Sequence, residues 1–362
     1  MFFGTLQKRR ALSSVGRASP LQGGGRKFEP CSAHQNPPSI SLLSQILSRE
    51  RKVHFTLLKI GLLTFASCSR GFLKSEEIQK NSQGKESIRP VFIPRGDTLC
   101  SKNSKGYALF LHGLNNHSGV LGPISEVIGA ERFTTRAITL AGHEGGDAQT
   151  LTVSLKSWRS QVDNFLLKTS LNSCTSSKFI LVGYSTGALL WIDALERAIN
   201  VGTIDSINGL RLENISLLLF APPLSLRPII KFASIVSMPL LMLSPFGLSL
   251  PTLVPLEARA SDYISLGLYR SFFDLYGKIQ KRVNGRNLPL VKSLVIVHSE
   301  DELINFEGIN TFVKRYGNSL WSVQVIKTSM PSNSYKHLFI LPKHGGRDVW
   351  EQLKLKVINY VE

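Results

Sequence analysis

The sequence predicts an α/β domain with a mostly parallel central sheet flanked by helices, and two observations lead to this prediction. From about residue 90 onward, short runs that are apolar at nearly every position are bounded by Gly, Pro, Ser or Asn. Such runs are typical of strands buried on both faces of a parallel sheet. Longer segments with apolar residues at helical spacing lie between them. Strands and helices in alternation, joined by right-handed crossovers, define the α/β class.

Five strands and four helices follow from these patterns. The strands are the runs YALFLHG, RAITLAGH, KFILVGYS, ISLLLFAPP and KSLVIVHSED, which begin at residues 107, 136, 178, 215 and 292. The helices are predicted over Val153–Lys168, Ala188–Asn200, Phe306–Tyr316 and Arg347–Val361. Residues 224–286 show no clear strand and predict a helical cap insertion over one edge of the sheet. Pro239, Pro245 and Pro251 interrupt this apolar segment too often for a membrane span.

The composition is that of a globular protein, but the chain is strongly basic. Of its 362 residues 43% are apolar and 9% aromatic, and the formal net charge is +18. Residues 1–52 contribute +7 of this charge, and the rest is scattered without a basic run interleaved with aromatic residues. We therefore expect no nucleic-acid partner. The basicity is instead a weak pointer to a negatively charged membrane surface.

Residues 1–52 are predicted to be a spurious or disordered leader. The stretch Ser13 to His34 resembles a transfer-RNA gene translated into protein. Val15–Ala18 can be encoded by nucleotides like those of the D arm, and Phe28–Pro30 by those of the T loop. The alternative is a disordered leader rich in Gly, Ser and Pro. In both cases these residues are left out of the fold prediction.

Residues 53–67 are predicted to be a signal peptide. A short basic flank precedes the apolar stretch Phe55 to Ala66, which is too short to span a bilayer as a helix. The stretch leads into Phe65–Cys68, which resembles a bacterial lipobox. The resemblance implies lipidation of Cys68 at the start of a tether over residues 68–89. We expect an exported bacterial lipoprotein, anchored to a membrane on its periplasmic or outer side, with a cytoplasmic protein as the alternative.

The motif Gly183–Gly187, Gly-Tyr-Ser-Thr-Gly, joins a predicted strand to a predicted helix. In this setting Ser185 is forced into a tight turn that lifts its hydroxyl above the sheet edge. The following helix would place unpaired N–H groups and its positive dipole end beneath the hydroxyl. The motif therefore predicts a catalytic serine, and a turn that serves packing alone is the alternative.

Two further segments, Leu109–Gly119 (LFLHGLNNHSG) and Thr139–Asp147 (TLAGHEGGD), accompany this motif. With them, residues 90–362 resemble the α/β-hydrolases, and in particular the monoglyceride-lipase and lysophospholipase-like branch. The resemblance implies the α/β-hydrolase fold and a serine hydrolase with a Ser-His-Asp triad in which Ser185 is the nucleophile.

The resemblance also implies an oxyanion hole, which binds the negative oxygen that develops in acyl transfer. The implied donors are the backbone N–H groups of Leu114 and Thr186. His112, which precedes the first of these, is expected to support the loop. If the fold is as implied, the strands that follow Cys100 and Cys174 are neighbours, and a disulfide between the two and a pair of free thiols are equal alternatives.

The acid of the triad is expected after the strand that begins at residue 292. Asp301 fits the spacing of the family, which places the acid three residues after a Gly; His298 occupies that Gly position here. Glu300 and Glu302 remain as rivals. The histidine of the triad is expected in a loop before the last helix.

Two histidines are candidates, His337 and His344. His337 stands at the distance from the last helix that the family uses, whereas His344 is expected to belong to the capping loop of that helix. The order Ser185, Asp301, His337 is the order in which α/β-hydrolases place their triad.

The implied function is hydrolysis of carboxylic acyl esters, with monoacylglycerol and lysophospholipid as candidate substrates. The partners would be a small acyl-ester or lipid substrate and a membrane surface. Alternatives are an amide or peptide hydrolase or an acyltransferase on the same triad, and a non-catalytic binding lipoprotein on a hydrolase scaffold. Peptidase relatives often bind a free amino terminus with acids in the cap, where the candidates are Glu257, Asp262 and Asp274. No cofactor and no metal are expected, because His112, His117 and His143 lack ligand spacing with Cys or acids.

Overall fold

The structure is a computed structural model that describes most of the chain beyond residue 103. It covers residues 104–144, 153–171, 177–200, 206–231, 241, 248–252, 254–283, 287–332 and 334–362. The chain divides into two units, Met1–Ser87 and Ile88–Glu362, and all described residues belong to the second. The predicted leader, signal peptide and tether lie outside the described residues, as do Cys68, Cys100 and Cys174. None of the helices in the described ranges is long and apolar enough to cross a membrane.

Six parallel strands form the main sheet of the described residues. They are β1 Gly106–Leu111, β2 Phe133–Ile138, β3 Lys178–Tyr184, β4 Ile215–Phe220, β5 Lys292–His298 and β6 Trp321–Ile326. Their spatial order is β2-β1-β3-β4-β5-β6. The chain moves outward from β1 to β2 and then returns past β1 to β3. The carboxyl ends of β1 and β3 are therefore adjacent where the strand order reverses, which is where open α/β sheets bind ligands.

Within the described ranges, six helices accompany this sheet. They are α1 Gly122–Ala130, α2 Leu155–Leu171, α3 Thr186–Asn200, α4 Leu266–Val283, α5 Phe306–Tyr316 and α6 Pro342–Val361. Helix α1 packs against α6, and α3 packs against α2 and α4. Because right-handed crossovers change sides where the strand order reverses, these two groups cover opposite faces of the sheet. The architecture confirms the predicted fold class, a mostly parallel sheet flanked by helices.

The four central strands were predicted from their apolar runs, but the two edge strands differ from the prediction. Strand β2 begins at Phe133 rather than at Arg136. Because most of this strand is partly exposed, its first half can carry polar residues, and these are not part of an apolar run. Strand β6 was not predicted. Its alternation of Trp321, Val323 and Val325 with polar residues is the period-two signal of a half-exposed strand.

Helix α6 also differs slightly from the prediction, in the place where it begins. It starts at Pro342, but Gly346 interrupts it with a φ of 76° and a ψ of 172°. The regular helix therefore runs from Arg347, which is where the sequence pattern had placed its start. Helix α1, which was not predicted, lies in the chain between β1 and β2.

The predicted cap insertion, residues 224–286, contains helix α4, which packs against α2 and α3 on a face of the sheet rather than over its edge, but it also contains strands. Ser249–Pro251 and Tyr263–Ser265 form an antiparallel ribbon, which corrects the expectation of a segment without strands. Strands of three residues are too short to leave a periodic signal in the sequence. The side-chain amide of Gln280, in α4, donates to the carbonyl oxygen of Leu224 at 2.9 Å and closes the base of the insertion.

A buried carboxylate, Asp193 of α3, joins three helices on one face of the sheet. Its side chain is wholly buried and accepts hydrogen bonds from Arg159 of α2, Arg197 of α3 and Arg282 of α4. The donor–acceptor distances lie between 2.5 and 3.2 Å, and Arg159 binds with two nitrogens. A buried charge of this kind is tolerated only because these partners satisfy it.

We expect Asp193→Ala to lower the free energy of unfolding by about 3–5 kcal/mol, because three guanidinium groups lose their shared acceptor. Asp163→Ala is the matched control. Asp163 also pairs with Arg197, at 2.8 Å, but its side chain is 37% exposed. Its loss is therefore expected to cost about 1 kcal/mol or less. Urea unfolding followed by circular dichroism measures both values, and equal losses would contradict the special role of Asp193.

Candidate active site

Ser185 lies at the tip of a strained turn between β3 and α3. Its φ of 51° is in the left-handed region, which costs a residue other than glycine about 1–2 kcal/mol. The backbone N–H of Ser185 donates to the carbonyl oxygen of Phe220, at the end of β4, at 2.9 Å. The carbonyl oxygen of Ser185 accepts the N–H of Ala188 at 3.0 Å and so begins the helix. These two bonds hold the turn in its strained conformation.

Gly183 and Gly187 permit this turn because neither position has room for a side chain. A Cβ at Gly187 would overlap the backbone carbonyl of Leu111 at the end of β1, and one at Gly183 would lie 2.5 Å from the Cα of Ala188. The start of α3 therefore packs directly against the end of β1. The strand, the turn and the helix that the motif predicts are all present.

The structure brings the three predicted triad residues into one hydrogen-bonded line. His337 Nε2 lies 3.0 Å from Ser185 Oγ, and His337 Nδ1 lies 2.8 Å from Asp301 Oδ2. His337 and Asp301 are both buried. His337 lies in a short 3₁₀ helix, Lys336–Leu338, before α6, and Asp301 lies in the turn after β5. Both distances suit a nucleophile, a base and an orienting acid.

The carboxylate of Asp301 is fixed by its own turn. Its Oδ1 accepts the backbone N–H groups of Leu303 and Ile304, each at 2.9 Å, so that Oδ2 faces the imidazole. A carboxylate can only accept here, so the proton of neutral His337 lies on Nδ1. Nε2 is then the acceptor for the hydroxyl proton of Ser185.

The two rival acids occupy different positions around the same histidine. Glu300 forms an ion pair with the ammonium group of Lys336. Glu302 Oε2 accepts the backbone N–H of His337 at 3.0 Å. Of the three acids, Asp301 is the one whose carboxylate bonds to the imidazole.

His298, at the position where the family has glycine, supports the acid turn. Its side chain is wholly buried. Its Nδ1 accepts the backbone N–H of Glu300 at 3.1 Å, so Nε2 carries the proton and donates it to the carbonyl oxygen of Thr328 at 2.8 Å. The imidazole thus connects the turn to the chain just beyond β6.

The charges around His337 favour its protonated form. Burial alone would lower the pKa of His337, but the charge and hydrogen bond of Asp301 and the charge of Glu302 raise it above the ordinary value. The other candidate, His344, lies in the first turn of α6 with its Nε2 3.3 Å from Glu257 Oε1. Burial lowers the pKa of His344. The structure therefore brings His337, and not His344, to Ser185.

The loop after β1 lies beside the nucleophile. A Cβ at Gly113 would lie 3.1 Å from the Cβ of Ser185, so the loop backbone is in close contact with the serine. Leu114 follows directly. Thr186 is the first residue of α3, where backbone N–H groups have no acceptor within the helix. The two residues predicted to form the oxyanion hole are thus close to Ser185, and their role as donors stays a prediction.

His112 connects this loop to the one after β2. Its Nε2 accepts the N–H of Leu140 at 2.9 Å, so Nδ1 carries the proton and donates it to the carbonyl oxygen of Gly113 at 2.9 Å. Burial and the nearby His143 hold the pKa of His112 well below its ordinary value, and burial lowers the pKa of His143 to about 4. Both rings are therefore neutral at neutral pH, which suits a supporting role for His112.

Asn115, in the loop after β1, forms hydrogen bonds with the cap insertion. This residue was not identified from the sequence. Asn115 Nδ2 donates to the carbonyl oxygen of Ser261 at 2.9 Å, and its Oδ1 accepts the N–H of Ser261 at 3.1 Å. Its carbonyl oxygen accepts the N–H of Ala260 at 2.9 Å. The next two residues of the loop bond to the same segment of the insertion. No sequence signal could reveal this contact, because its partners are 146 residues apart.

Tyr184, the variable residue before the serine, also has a role that the motif does not reveal. Its hydroxyl donates to the carbonyl oxygen of His337 at 3.0 Å, and the two rings lie 5.2 Å apart. The nucleophile turn and the histidine loop are therefore joined by a second contact besides the triad.

Solved structures with a similar fold agree with this arrangement of elements. A soluble variant of monoglyceride lipase from Saccharomyces cerevisiae, in complex with a substrate analogue, gives a TM-score of 0.54 at 12% sequence identity. The match covers 73% of this chain and 88% of that one. A structure from work on the metagenome-derived lipolytic enzymes LipS and LipT gives 0.53 at 12% identity, over 72% and 94%. DcsB, in complex with its substrate analogue, gives 0.51 at 13% identity, over 72% and 91%.

These similarities and the sheet order define an α/β-hydrolase fold. The turn between β3 and α3 carries Ser185, as the motif of this fold requires. No family model matches the chain, and no curated protein matches it in sequence.

We expect Gly187→Ala to destabilise the protein by about 3 kcal/mol or more, because the new methyl group would overlap a backbone carbonyl that cannot rotate away. Gly277→Ala is the matched control. Gly277 lies inside α4 with nothing within 4 Å of an added Cβ. There alanine is expected to stabilise the helix by about 0.5–1 kcal/mol. Thermal unfolding compares the two variants, and a Gly187→Ala protein as stable as the wild type would contradict the close packing.

Proposed function

We propose that this protein is a serine hydrolase that cleaves carboxylic acyl esters through an acyl-enzyme. One observation carries the proposal: the hydrogen-bonded line from Ser185 through His337 to Asp301. A serine hydroxyl is a weak nucleophile at neutral pH, and it needs an adjacent base to become reactive. The strained turn at Ser185 adds support, because backbone strain is concentrated at functional sites.

In the proposed reaction, His337 Nε2 accepts the proton of Ser185 Oγ as that oxygen attacks the ester carbonyl carbon. The Nδ1–H bond to Asp301 orients the ring and stabilises the imidazolium. The N–H groups of Leu114 and Thr186 would bind the carbonyl oxygen as it becomes negative. The carbon–oxygen bond to the alcohol then breaks, and His337 gives its proton to the alcohol oxygen. Water, deprotonated by the same base, then attacks the acyl-enzyme carbonyl carbon. The bond to Ser185 Oγ breaks, His337 returns the proton to that oxygen, and the carboxylic acid is released.

A small acyl ester or lipid is the proposed substrate, and monoacylglycerol and lysophospholipid are candidates. The support comes from two solved structures with a similar fold, which are described as a monoglyceride lipase and as a lipolytic enzyme. Export and attachment to a membrane through a lipidated Cys68 complete the proposal. They are supported by the sequence of residues 53–68 alone.

The same triad could serve a peptidase, but Glu257 and Asp262, two of the three candidate acids of the insertion, do not favour that alternative. An acid that recognises a free amino terminus must be available to the substrate. Glu257 is paired with Lys343 at 2.9 Å, and Asp262 is paired with Arg259 at 2.5 Å. The strained Ser185 turn and the hydrogen-bonded triad likewise favour an enzyme over a non-catalytic binding protein, which needs neither.

We expect the full-length protein to hydrolyse p-nitrophenyl esters and Ser185→Ala to lower kcat by about 10⁶, the scale known for such triads. Ser157→Ala, in α2, is the matched control and should keep full activity. Esters from acetate to palmitate would also show the depth of the acyl pocket through the preferred chain length. Activity that survives in Ser185→Ala, or a folded wild type inactive on every ester, would contradict the proposal.

Ester hydrolysis should depend on pH through His337. Only the neutral imidazole accepts the serine proton, so kcat/KM falls as the pH drops through the pKa of His337. Because Asp301 and Glu302 raise that pKa, the midpoint of the acid limb should lie above the ordinary histidine value of about 6.5. A pH profile of kcat/KM for a p-nitrophenyl ester tests this, and a profile that stays flat down to pH 5 would contradict it.

A further inference from the structure

Glu302 is the acid next to Asp301, and the proposed mechanism gives it no task. Its partly buried carboxylate accepts the backbone N–H of His337 at 3.0 Å. A hydrogen bond to an ionised acceptor is stronger than one between neutral groups, and reduced solvent access strengthens it further. The bond therefore holds the backbone of His337, the residue that the proposed mechanism uses as its base.

We propose that Glu302 is a positioning residue for His337, which holds the backbone of the histidine and stabilises its imidazolium through a second negative charge. This inference rests on the proposed function and extends it. Asp301 orients the ring at Nδ1, whereas Glu302 acts on the peptide group of the same residue.

The loop of His337 needs such support, because its own secondary structure is minimal. The 3₁₀ helix Lys336–Leu338 has only three residues, and N–H groups at the start of a helix have no acceptor within it. Side chains supply the missing partners. Glu302 accepts the N–H of His337, and the hydroxyl of Tyr184 donates to its carbonyl oxygen at 3.0 Å. The peptide groups on both sides of the histidine are therefore held from outside the loop.

Each of the three acids Glu300, Asp301 and Glu302 contacts the loop that carries His337. Glu300 pairs with Lys336, Asp301 with the imidazole, and Glu302 with the backbone of the same histidine. Three consecutive acids thus make three different contacts with two consecutive residues. Glu302 is the one of the three whose bond both anchors the backbone and places a charge near the ring.

The titratable and charged groups that surround this bond come from several elements. These groups are the side chains of Asp301, His337, Tyr184, Tyr335 and Tyr269, together with the Glu300–Lys336 ion pair. Arg227 donates to the carbonyl oxygen of Asp301 at 2.6 Å. Burial and the charge of Asp301 raise the pKa of Glu302, whereas the hydrogen bond from His337 favours its ionised form. Two carboxylates next to one imidazole both favour the imidazolium.

The isosteric variant Glu302→Gln separates charge from shape. Its amide oxygen can still accept the N–H of His337, so the loop keeps its support while the negative charge is lost. We expect the acid limb of the kcat/KM profile to move to lower pH, because the imidazolium loses a stabilising neighbour. Glu302→Ala removes the bond as well and should lower kcat by about tenfold or more with little change in KM.

Glu300→Gln is the matched control. It removes a carboxylate of the same turn, but that carboxylate belongs to a partly exposed ion pair that solvent screens. We expect its acid limb to coincide with that of the wild type. If the turn that carries these acids had a purely structural role, Glu302→Gln and Glu300→Gln would both change the rate of hydrolysis. Neither would then move the acid limb of the kcat/KM profile.

The first measurement is the pH profile of p-nitrophenyl ester hydrolysis by the full-length protein and its variants. The second is an NMR titration of the His337 imidazole, whose signal is assigned because it is absent from the spectrum of His337→Asn. A lower pKa of His337 in Glu302→Gln, with Glu300→Gln unchanged, would support the proposal. An unmoved pKa in Glu302→Gln, or equal shifts in both variants, would overturn it. Failure of the proposed function looks different: the wild type then shows no Ser185-dependent hydrolysis, while the NMR titration still tests the contact.

Discussion

The close packing of Gly187 against the end of β1 is the constraint on which the site depends. Because no side chain fits between Gly187 and the carbonyl of Leu111, α3 begins directly against that strand. The contact lies where the strand order of the sheet reverses. It brings the loop of Gly113 to the side of Ser185, so that the proposed nucleophile and the proposed oxyanion donors share one small region.

The other half of the site is assembled from elements far apart in the chain and is held by polar contacts. Asp301 is fixed by N–H groups of its own turn, and that turn is joined to the chain beyond β6 through His298. The insertion is bonded to both halves. Asn115 links it to the loop after β1, and Leu226 bridges to Ile304 in the acid turn. The insertion therefore supports the loops around Ser185 in addition to any part it has in binding substrate.

The sequence was sufficient to predict what depends on local pattern. The central strands are continuous apolar runs because they are buried on both faces, and the strand-turn-helix around Ser185 follows from its two glycines. The spacing implied by the family resemblance singled out Asp301 and His337, whose side chains are hydrogen-bonded to one another, and their catalytic roles stay predictions. The edge strand β6 was missed because its half-exposed residues give a weaker alternating signal.

Contacts between distant side chains could not be predicted in this way. The bonds of Asn115 to the insertion and of Tyr184 to the histidine loop join residues more than 140 positions apart. His298 breaks the pattern of the family at a glycine position, and only its buried hydrogen bonds show how the turn accommodates it. Glu302 could be identified as an acid near the triad, but its bond to the backbone of His337 depends on the packing of two loops.

Covalent labelling tests whether Ser185 is the activated nucleophile that we propose. The full-length protein would be treated with a fluorophosphonate, digested and analysed by peptide mass spectrometry. We expect a single adduct on the peptide that carries Ser185, and we expect it to be absent when His337 is replaced by Asn. A folded protein that takes up no label, or one labelled at another serine, would contradict the proposal.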